Sequence, residues 1–529
     1  MSNVRKAILL DETAQAIRAG IKEAAVDIAA ALDGSGEDDF VIYGFHINGA
    51  EADPGKAVTY LEDAAGMVPA RMDYLNNKFA YGSWIDAFFM PKPCMVKFEG
   101  TVDYYLDPYD YEKKENGEVS ALGDSNLNYG AKYQGNAMME WGSNDNQIWT
   151  KVVPDSNDPI SGSVYISNRK VDDDYTAWPF VNNQGNLVKH FYTPIYNGSL
   201  TAYKVSSTTY YRLRSIPRRI VMNSPGNNTS YTIPWDDSST GTPSGIAATN
   251  ATMEWVVACN NNPNINWTSY PTDGLPNNRA NIGWFTEVFC DIQLINNLLV
   301  LISKNLDSQY VFGNGNMNGN GQTGYSANNG VLYTGAHEYD TSGVPQYNVL
   351  NKAGLFWGST SVKQAVKVFG MENWWGNQYR RYAGHINKSS SNTSTYNHFI
   401  KNTFGQEDGT TAIGYNTDGT NYIDTLIETP ASGYIKSSTF LNKVTVGGTT
   451  YKVGTFLASA TGGGSSQFYC DYFYKNTGAS YYSLRGGRSI SGADCGVFYV
   501  HANASAVTTN WSFCAALDCF ILCSSWWLL

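Results

Sequence analysis

The chain has 529 residues, 42% of them hydrophobic and 16% charged, a length that exceeds one ordinary core and predicts two or three domains. A net charge of -11 without Lys/Arg runs excludes a protein that gains affinity by neutralising phosphates, so no nucleic-acid partner is expected. Fourteen Trp, 37 Tyr and 22 Phe among abundant Asn, Ser, Thr and Gly fit a β-rich extracellular or virion protein with long polar loops.

The first fifteen residues lack an apolar stretch followed by a small-residue cleavage site, so no signal peptide is expected and synthesis in a cytoplasm is. From Val4 to Leu32 the chain is rich in Ala, Ile, Leu, Glu and Lys and stops at Asp33-Gly34-Ser35-Gly36, which predicts a helix over the first unit, 1–34. Leu10, Ala14, Ile17, Ile21, Ala24, Ile28 and Ala31 alternate in steps of four and three, the seam of a coiled coil. Self-association, docking to a virion and packing on the helix's own domain all stay open.

Between 40 and 204, short runs such as Phe40-Val41-Ile42-Tyr43 and Ala87-Phe88-Phe89-Met90 alternate with turn-rich segments, predicting a mainly β domain. Asp172-Asp173-Asp174 reads as a solvated turn ahead of a cation site. Farther on, Phe289, Ile292, Ile295, Leu298, Leu299 and Ile302 predict a buried amphipathic helix over Ile282 to Asp307. Glu287, Asp291, Gln293, Asn296 and Asn297 interrupt that stretch too often for a membrane span. The following Gly313-Asn314-Gly315-Asn316-Met317-Asn318-Gly319 has neither dinucleotide spacing nor a Gly-Lys-Ser/Thr, so a mobile surface loop is expected.

The eight cysteines have no zinc or disulfide-scaffold spacing and are expected to be reduced, buried thiols. The six histidines form no HExxH-type site. No metal and no cofactor are expected.

Two stretches are more specific. One is Gly354-Leu355-Phe356-Trp357-Gly358, continuing through Val366 to Trp374-Trp375-Gly376-Asn377-Gln378-Tyr379-Arg380-Arg381; the other runs from Tyr482-Ser483-Leu484-Arg485-Gly486-Gly487 through Ser491 to Val500 and ends at Asn510-Trp511-Ser512-Phe513. Together they resemble the formylglycine-generating-enzyme type of C-type-lectin fold, and in particular phage tail proteins of gut bacteria that are rewritten by a diversity-generating retroelement. The likeness covers about Ile282 to the C-terminus and extends loosely to Phe45–Gly49 and Trp84–Met90. It implies an α+β, β-rich fold: an N-terminal helix, a mainly β domain over 40–204, and a C-type-lectin-like domain over 205–529 with a variable region at about 485–515.

In such families the mutated codons begin as Asn, and randomising their adenines never yields Lys, Glu, Gln, Met or Trp. From Arg485 to Ser525 the chain has no Lys, Glu, Gln or Met, where average composition would give roughly five. The one Trp in that window, Trp511, falls where the family keeps a scaffold tryptophan. Carried over by position, the resemblance implies receptor-binding variable sites at Ser489, Ile490, Ser491, Asp494, Tyr499, His501, Asn503, Ala504, Val507, Thr508, Asn510 and Ser512, with Arg488 at their border. Only Asn503 and Asn510 keep the template Asn, so this copy reads as already diversified.

Leu484 to Gly487, Val497, Phe498, Val500 and Trp511 are expected to be framework, with a bend or bulge near Val500. Arg485 is expected to pair with a buried carboxylate, and Gly486 and Gly487 to permit a tight strand exit. Cys514 departs from the family's Gly, and the apolar tail Phe520–Leu529, too short to span a bilayer, is expected to pack on the domain or on a neighbouring subunit.

The resemblance implies a receptor-binding protein of a phage virion, on a tail or a capsid-attached fibre. It would be homotrimeric, joined to other virion proteins through its N-terminal region, and would bind a bacterial surface protein or glycan without membrane insertion. The alternatives are a structural virion protein without receptor contact and a formylglycine-generating-type enzyme using Cys514 and Cys519. Around those cysteines Ala515, Ala516, Leu517 and Asp518 make an apolar, acidic setting that raises a thiol pKa, so no enzyme is expected. A calcium-dependent lectin would need a Glu-Pro-Asn or Gln-Pro-Asp triplet, which the sequence lacks.

Overall fold

The short apolar runs form strands, because alternating side chains let one face of each pleat be buried. A computed structural model describes residues 40–142, 147–182, 186–221, 233–241, 284–319, 330–389, 395–402, 422–475, 481–504 and 512–520. The helix expected over 4–32, Cys259, Cys523 and the tail from Ile521 lie outside these residues.

Strand makes up 45% of the structure and helix 8%, with two α-helices among the described residues and a nearly closed, barrel-like sheet. The expected α+β class is therefore corrected to a strongly β architecture. Among the described residues helical periodicity is confined to one stretch, whereas aromatic and β-branched residues elsewhere favour pairing between strands. The described residues from Ile42 onward form one compact unit.

One antiparallel sheet orders Val58–Glu62, Ile42–Ile47, Asp158–Ser167 and Trp149–Asp155. Strands β1 (Arg71–Asp73) and β2 (Lys78–Ala80) make a separate small hairpin. A seven-stranded sheet begins with β3 (Trp284–Thr286) and continues through Leu517–Phe520, Phe191–Pro194, Gly135–Trp141, Lys92–Lys97, Val102–Asp107 and Asp110–Lys114. Strands from both sides of the boundary expected at 204/205 thus share one sheet.

Helix α1 (Phe289–Ser303) buries every residue except Gln293. The expected amphipathic helix from Ile282 is corrected on two counts: it is covered on all sides, and Trp284–Thr286 is strand. Trp284, Phe285 and Thr286 pair with Cys519, Asp518 and Leu517, a partner more than two hundred residues away that no local pattern announces. A second, short helix, α2 (Ser308–Phe312), is capped by the Asp307 side chain, which accepts from the Tyr310 amide at 2.9 Å.

The Gly/Asn run after α2 is not a surface loop through 319. Asn316 is fully buried, its amide donating to Gly330 O at 2.8 Å and to Asn377 Oδ1 at 2.9 Å. The Trp375 indole donates to the carbonyls of Gly313 and Asn314, both at 3.2 Å. Glycine is needed because the backbone passes against the ring: a Cβ on Gly315 would sit 3.0 Å from Trp375.

The largest sheet carries the site. Its order is Ile423–Glu428, Tyr396–Ile400, β4 (Tyr379–Ser389), then β6 (Tyr481–Gly486), β7 (Gly496–Ala504) and β5 (Tyr472–Lys475), then Gly433–Val446 and Thr449–Thr461. Strand β8 (Phe513–Cys514) runs parallel beside β4, and β9 (Leu517–Phe520) is the strand paired with β3.

Candidate recognition surface

The inner face of the β4–β6–β7 sheet is fixed by charge as well as by apolar packing. Glu287, two residues before α1, accepts from Arg380 Nη1 and from Arg485 Nη2 at 2.7 Å each, and all three side chains are buried. Burial would raise the Glu287 carboxyl, but the Arg485 and Arg380 guanidiniums outweigh it and hold it below the ordinary value. Burial lowers Arg485 to about 10 despite that carboxylate. Its guanidinium lies 3.6 Å from the Trp374 ring centroid and donates to the Trp374 carbonyl at 2.9 Å. Trp374 in turn donates to Asn296 Oδ1 of α1 at 2.9 Å. The buried carboxylate expected for Arg485 is therefore Glu287, and the Trp374-Trp375-Gly376-Asn377 turn is core.

A second acidic pair joins α1 to β9. Asp291 and Asp518 are fully buried against one another; burial raises Asp291 to about 7, and burial with the Asp291 and Glu287 charges raises Asp518 well above the carboxylate range. Near neutral pH the pair holds a proton, which keeps two like charges from meeting inside the core.

The outer face of the same sheet has its own small cluster of Tyr379, Leu484, Tyr499, Ala504 and Phe513, with Tyr472 packed against it. Tyr379 and Tyr499 stack at 5.6 Å with planes 16° apart, and the Tyr499 hydroxyl donates to the Tyr379 oxygen at 3.1 Å. His501 lies between Tyr379 and Tyr474, 4.9 Å from each ring and nearly parallel to Tyr474 at 6°. Burial, with help from Arg488 and Arg381, lowers His501 to about 4, so the sandwiched ring is neutral at physiological pH. Arg488 covers the Tyr379 ring at 5.3 Å and Arg381 covers Phe513 at 5.1 Å. Tyr474, 40% exposed, is the open outer layer of this stack.

The loop from β6 to β7 is held from below. Gly486 and Gly487 turn with φ of +83° and +81°, and a Cβ on Gly487 would lie 2.3 Å from Cys495 Sγ, so the tight exit expected there exists. The Ser489 amide donates to Asn377 O at 2.9 Å, the Ser489 carbonyl accepts from Gly319 at 2.7 Å, and Gly492 donates to Met317 O at 2.9 Å. From the side, Gln309 of α2 donates to Ala493 O at 3.2 Å and also to Cys495 O.

The sites carried over from the resemblance fall into three groups. Ile490, 37% exposed, is the most open; Ser491, Asp494, His501 and Asn503 are half-buried, as is Arg488. Ser489, Tyr499, Ala504 and Ser512 are buried. Val507, Thr508 and Asn510 lie outside the described residues, as does Trp511. Tyr499 and His501 share the outer face by strand alternation, whereas Phe498 and Val500 pack toward the main core. Pairing with β6 shifts register between Gly496 and Val500 and again between His501 and Ala504, so irregularities flank Val500 on both sides. Sequence reasoning missed Tyr379 and Tyr474, which come from other strands; the tyrosine-rich composition was the only signal for them.

Other titratable groups are closed structural devices. His398 Nε2 meets the Ala458 carbonyl at 2.9 Å and therefore carries the proton, so its Nδ1 accepts from His385 Nε2 at 2.8 Å, and His385 Nδ1 accepts from the Tyr382 hydroxyl at 2.8 Å. Every ring nitrogen of the pair is used, beside a cavity of about 50 Å³ behind β7. Asp172, Asp173 and Asp174 each meet a lysine, namely Lys151, Lys170 and Lys443. Among the described residues no three His, Cys, Asp or Glu side chains are arranged to hold a metal, and no helix is long and apolar enough to cross a membrane. The six described cysteines are buried, and burial beside Asp518 pushes the Cys519 thiol up.

Neither a protein-family model nor a curated protein matches the chain.

Proposed function

We propose that this chain is the receptor-binding protein of a bacteriophage, and that the loop 488–495 with the outer face of β5 and β7 contacts the bacterial surface. The observation that carries the reading is the separation of two packing systems across one sheet. The Glu287–Arg380–Arg485 centre sits on one side, and the Tyr379–Tyr499–His501–Tyr474 stack on the other. A surface that must change chemistry without unfolding needs that separation. The resemblance to diversified phage tail proteins supports it, as does a residue set of Tyr, Ser, Asn, His and Ile that supplies aromatic area and adaptable hydrogen bonds.

The protein is a homotrimer on the virion in this reading, attached through its N-terminal region and without enzymatic activity. A single patch binds weakly, and repetition raises the effective affinity by about 10²–10⁴. Cys519 does not favour the enzyme alternative, because a thiol raised by burial is a poor nucleophile.

The test is adsorption of virions carrying Tyr474→Ala or the pair Ile490→Asp and Asn503→Asp. The expected result is adsorption slowed by at least about tenfold, with the protein folded and incorporated at wild-type levels. Unchanged adsorption would leave the structural-virion-protein alternative standing.

A further inference from the structure

Tyr379 stands where the two packing systems meet. Its chain neighbour Arg380 reaches the inner face and is held by Glu287 at 2.7 Å, so strand alternation sends the Tyr379 ring to the outer face from a backbone that the charged centre fixes. The Tyr379 amide donates to the Ser512 carbonyl at 2.8 Å, beside the pairing of β4 with β8. Although β4 lies outside the terminal segment 485–515, the Tyr379 side chain meets four residues of that segment. Arg488 covers its ring at 5.3 Å, His501 and Tyr499 face it at 4.9 and 5.6 Å, and Ser491 Oγ lies 3.4 Å from its hydroxyl.

The hydroxyls form a chain from β7 to the β6–β7 loop. The Tyr499 hydroxyl donates to the Tyr379 oxygen at 3.1 Å, which directs the Tyr379 hydrogen to Ser491 Oγ, and Ser491 Oγ also accepts from the Arg488 amide at 3.2 Å. Arg488 closes the circuit, because its guanidinium lies over the Tyr379 ring and donates to Ser512 Oγ at 3.3 Å. Linked hydrogen bonds polarise one another, so loss of one link weakens the next. Packing alone would ask only for the ring; the hydroxyl is what joins the strand to the loop.

We infer that Tyr379 is the positioning residue of the outer face. It sets the loop 488–495 through Ser491 and Arg488 and the β7 rings through Tyr499 and His501, so these four residues act as one coupled set and not as independent contacts. The bearing of this coupling on recognition rests on the receptor-binding reading above, whereas the coupling within the chain does not.

The test uses the purified full-length protein with two readouts: amide hydrogen exchange of residues 488–495, and binding to bacterial cells of a strain that the wild type binds, by flow cytometry. Tyr379→Phe and Tyr499→Phe keep the rings and remove hydroxyl links, and each is expected to speed exchange of the loop by about threefold to tenfold. Tyr499→Phe is expected to add nothing further in the Tyr379→Phe background, because the link is already broken there. Cell binding should weaken by about threefold to tenfold in Tyr379→Phe, Tyr499→Phe and Ser491→Ala, and the pair Ser491→Ala with Tyr499→Phe should lose no more than the worse single variant. Should Tyr379→Phe fail to fold, exchange of the loop in Tyr499→Phe decides alone. Wild-type loop exchange in Tyr499→Phe, or losses at Ser491 and Tyr499 that multiply as independent ones, overturns the positioning role; if Ile490→Asp still abolishes binding, the receptor reading survives that failure. Faster loop exchange with wild-type cell binding in every variant, Ile490→Asp included, upholds the coupling and overturns the receptor reading.

Discussion

The two faces of the sheet that contains β6 and β7 are built from different physics. On the inner face, Arg485 is held by Glu287, the Trp374 ring and the Trp374 carbonyl. Its neighbours were placed by residues close to α1 and by the turn at 374–377. On the outer face the contacts are ring on ring, between side chains of β4, β5, β7 and β8 that share no buried charge pair with one another. Breaking the first system strands a charge in the interior, whereas breaking the second removes stacking area at an edge that water reaches. The lesson is that one sheet can be rigid and revisable together if its irreplaceable interactions are kept on one side.

The largest effect should come from the inner face. Glu287→Ala leaves two buried guanidiniums without their carboxylate and is expected to cost about 3–5 kcal/mol, read by chemical denaturation. Glu287→Gln, which keeps the shape and loses the charge, should also be strongly destabilising. A variant of wild-type stability would break the comparison at its base.

Next comes pH. Asp291 is raised to about 7 in the fold, so the folded state holds a proton that the unfolded chain releases near 3.8; stability from this pair is full below that value and is lost as pH rises toward 7. Histidines act in the opposite direction. His398 and His501 are lowered to about 4 from 6.5, so their contribution is full above 6.5 and is lost as pH falls toward 4. These two contributions slope in opposite directions over the same window, about pH 4–7, and offset each other in part; Asp518→Asn removes one descending contribution, so the stability of that variant should climb more steeply from pH 4 to 7 than that of the wild type. Melting temperature against pH reads the difference, and an unchanged slope in Asp518→Asn would refute the proton held by the pair.

The smallest effects belong to the outer face. A double-mutant cycle of His501→Ala and Tyr474→Ala should give a coupling of about 0.5–1.5 kcal/mol for the stacked pair, with each single variant still folded. Zero coupling would mean that His501 does not position the Tyr474 ring.

Much of the inner face was legible in the sequence, because its signals are local. Trp374-Trp375-Gly376-Asn377 reads as aromatic weight with a glycine at a close approach, Arg485 asks for a carboxylate, and the apolar positions from Phe289 to Ile302 mark the helix that is present. What was illegible came from distant pairing. Trp284–Thr286 is strand because β9 lies beside it, and the Gly/Asn run at 313–319 is buried because Trp375 rests on it. An α+β class followed from the family resemblance, yet non-local strand pairing gave a strongly β molecule. The sites carried over by position mixed buried with open residues for the same reason: burial of Ser489 and Tyr499 depends on Asn377, Gly319 and Tyr379, none of which neighbours them in sequence.

The central claim is that the outer face can be rewritten while the inner face holds the fold. The direct measurement is selection of virions from a library randomised at Ile490, Ser491, Asp494, His501 and Asn503 on two bacterial strains that differ in surface proteins. The account predicts many folded, incorporated variants whose surviving sequences differ between the two strains. Survivors that converge on one sequence regardless of strain, or a library that fails to fold, would contradict it.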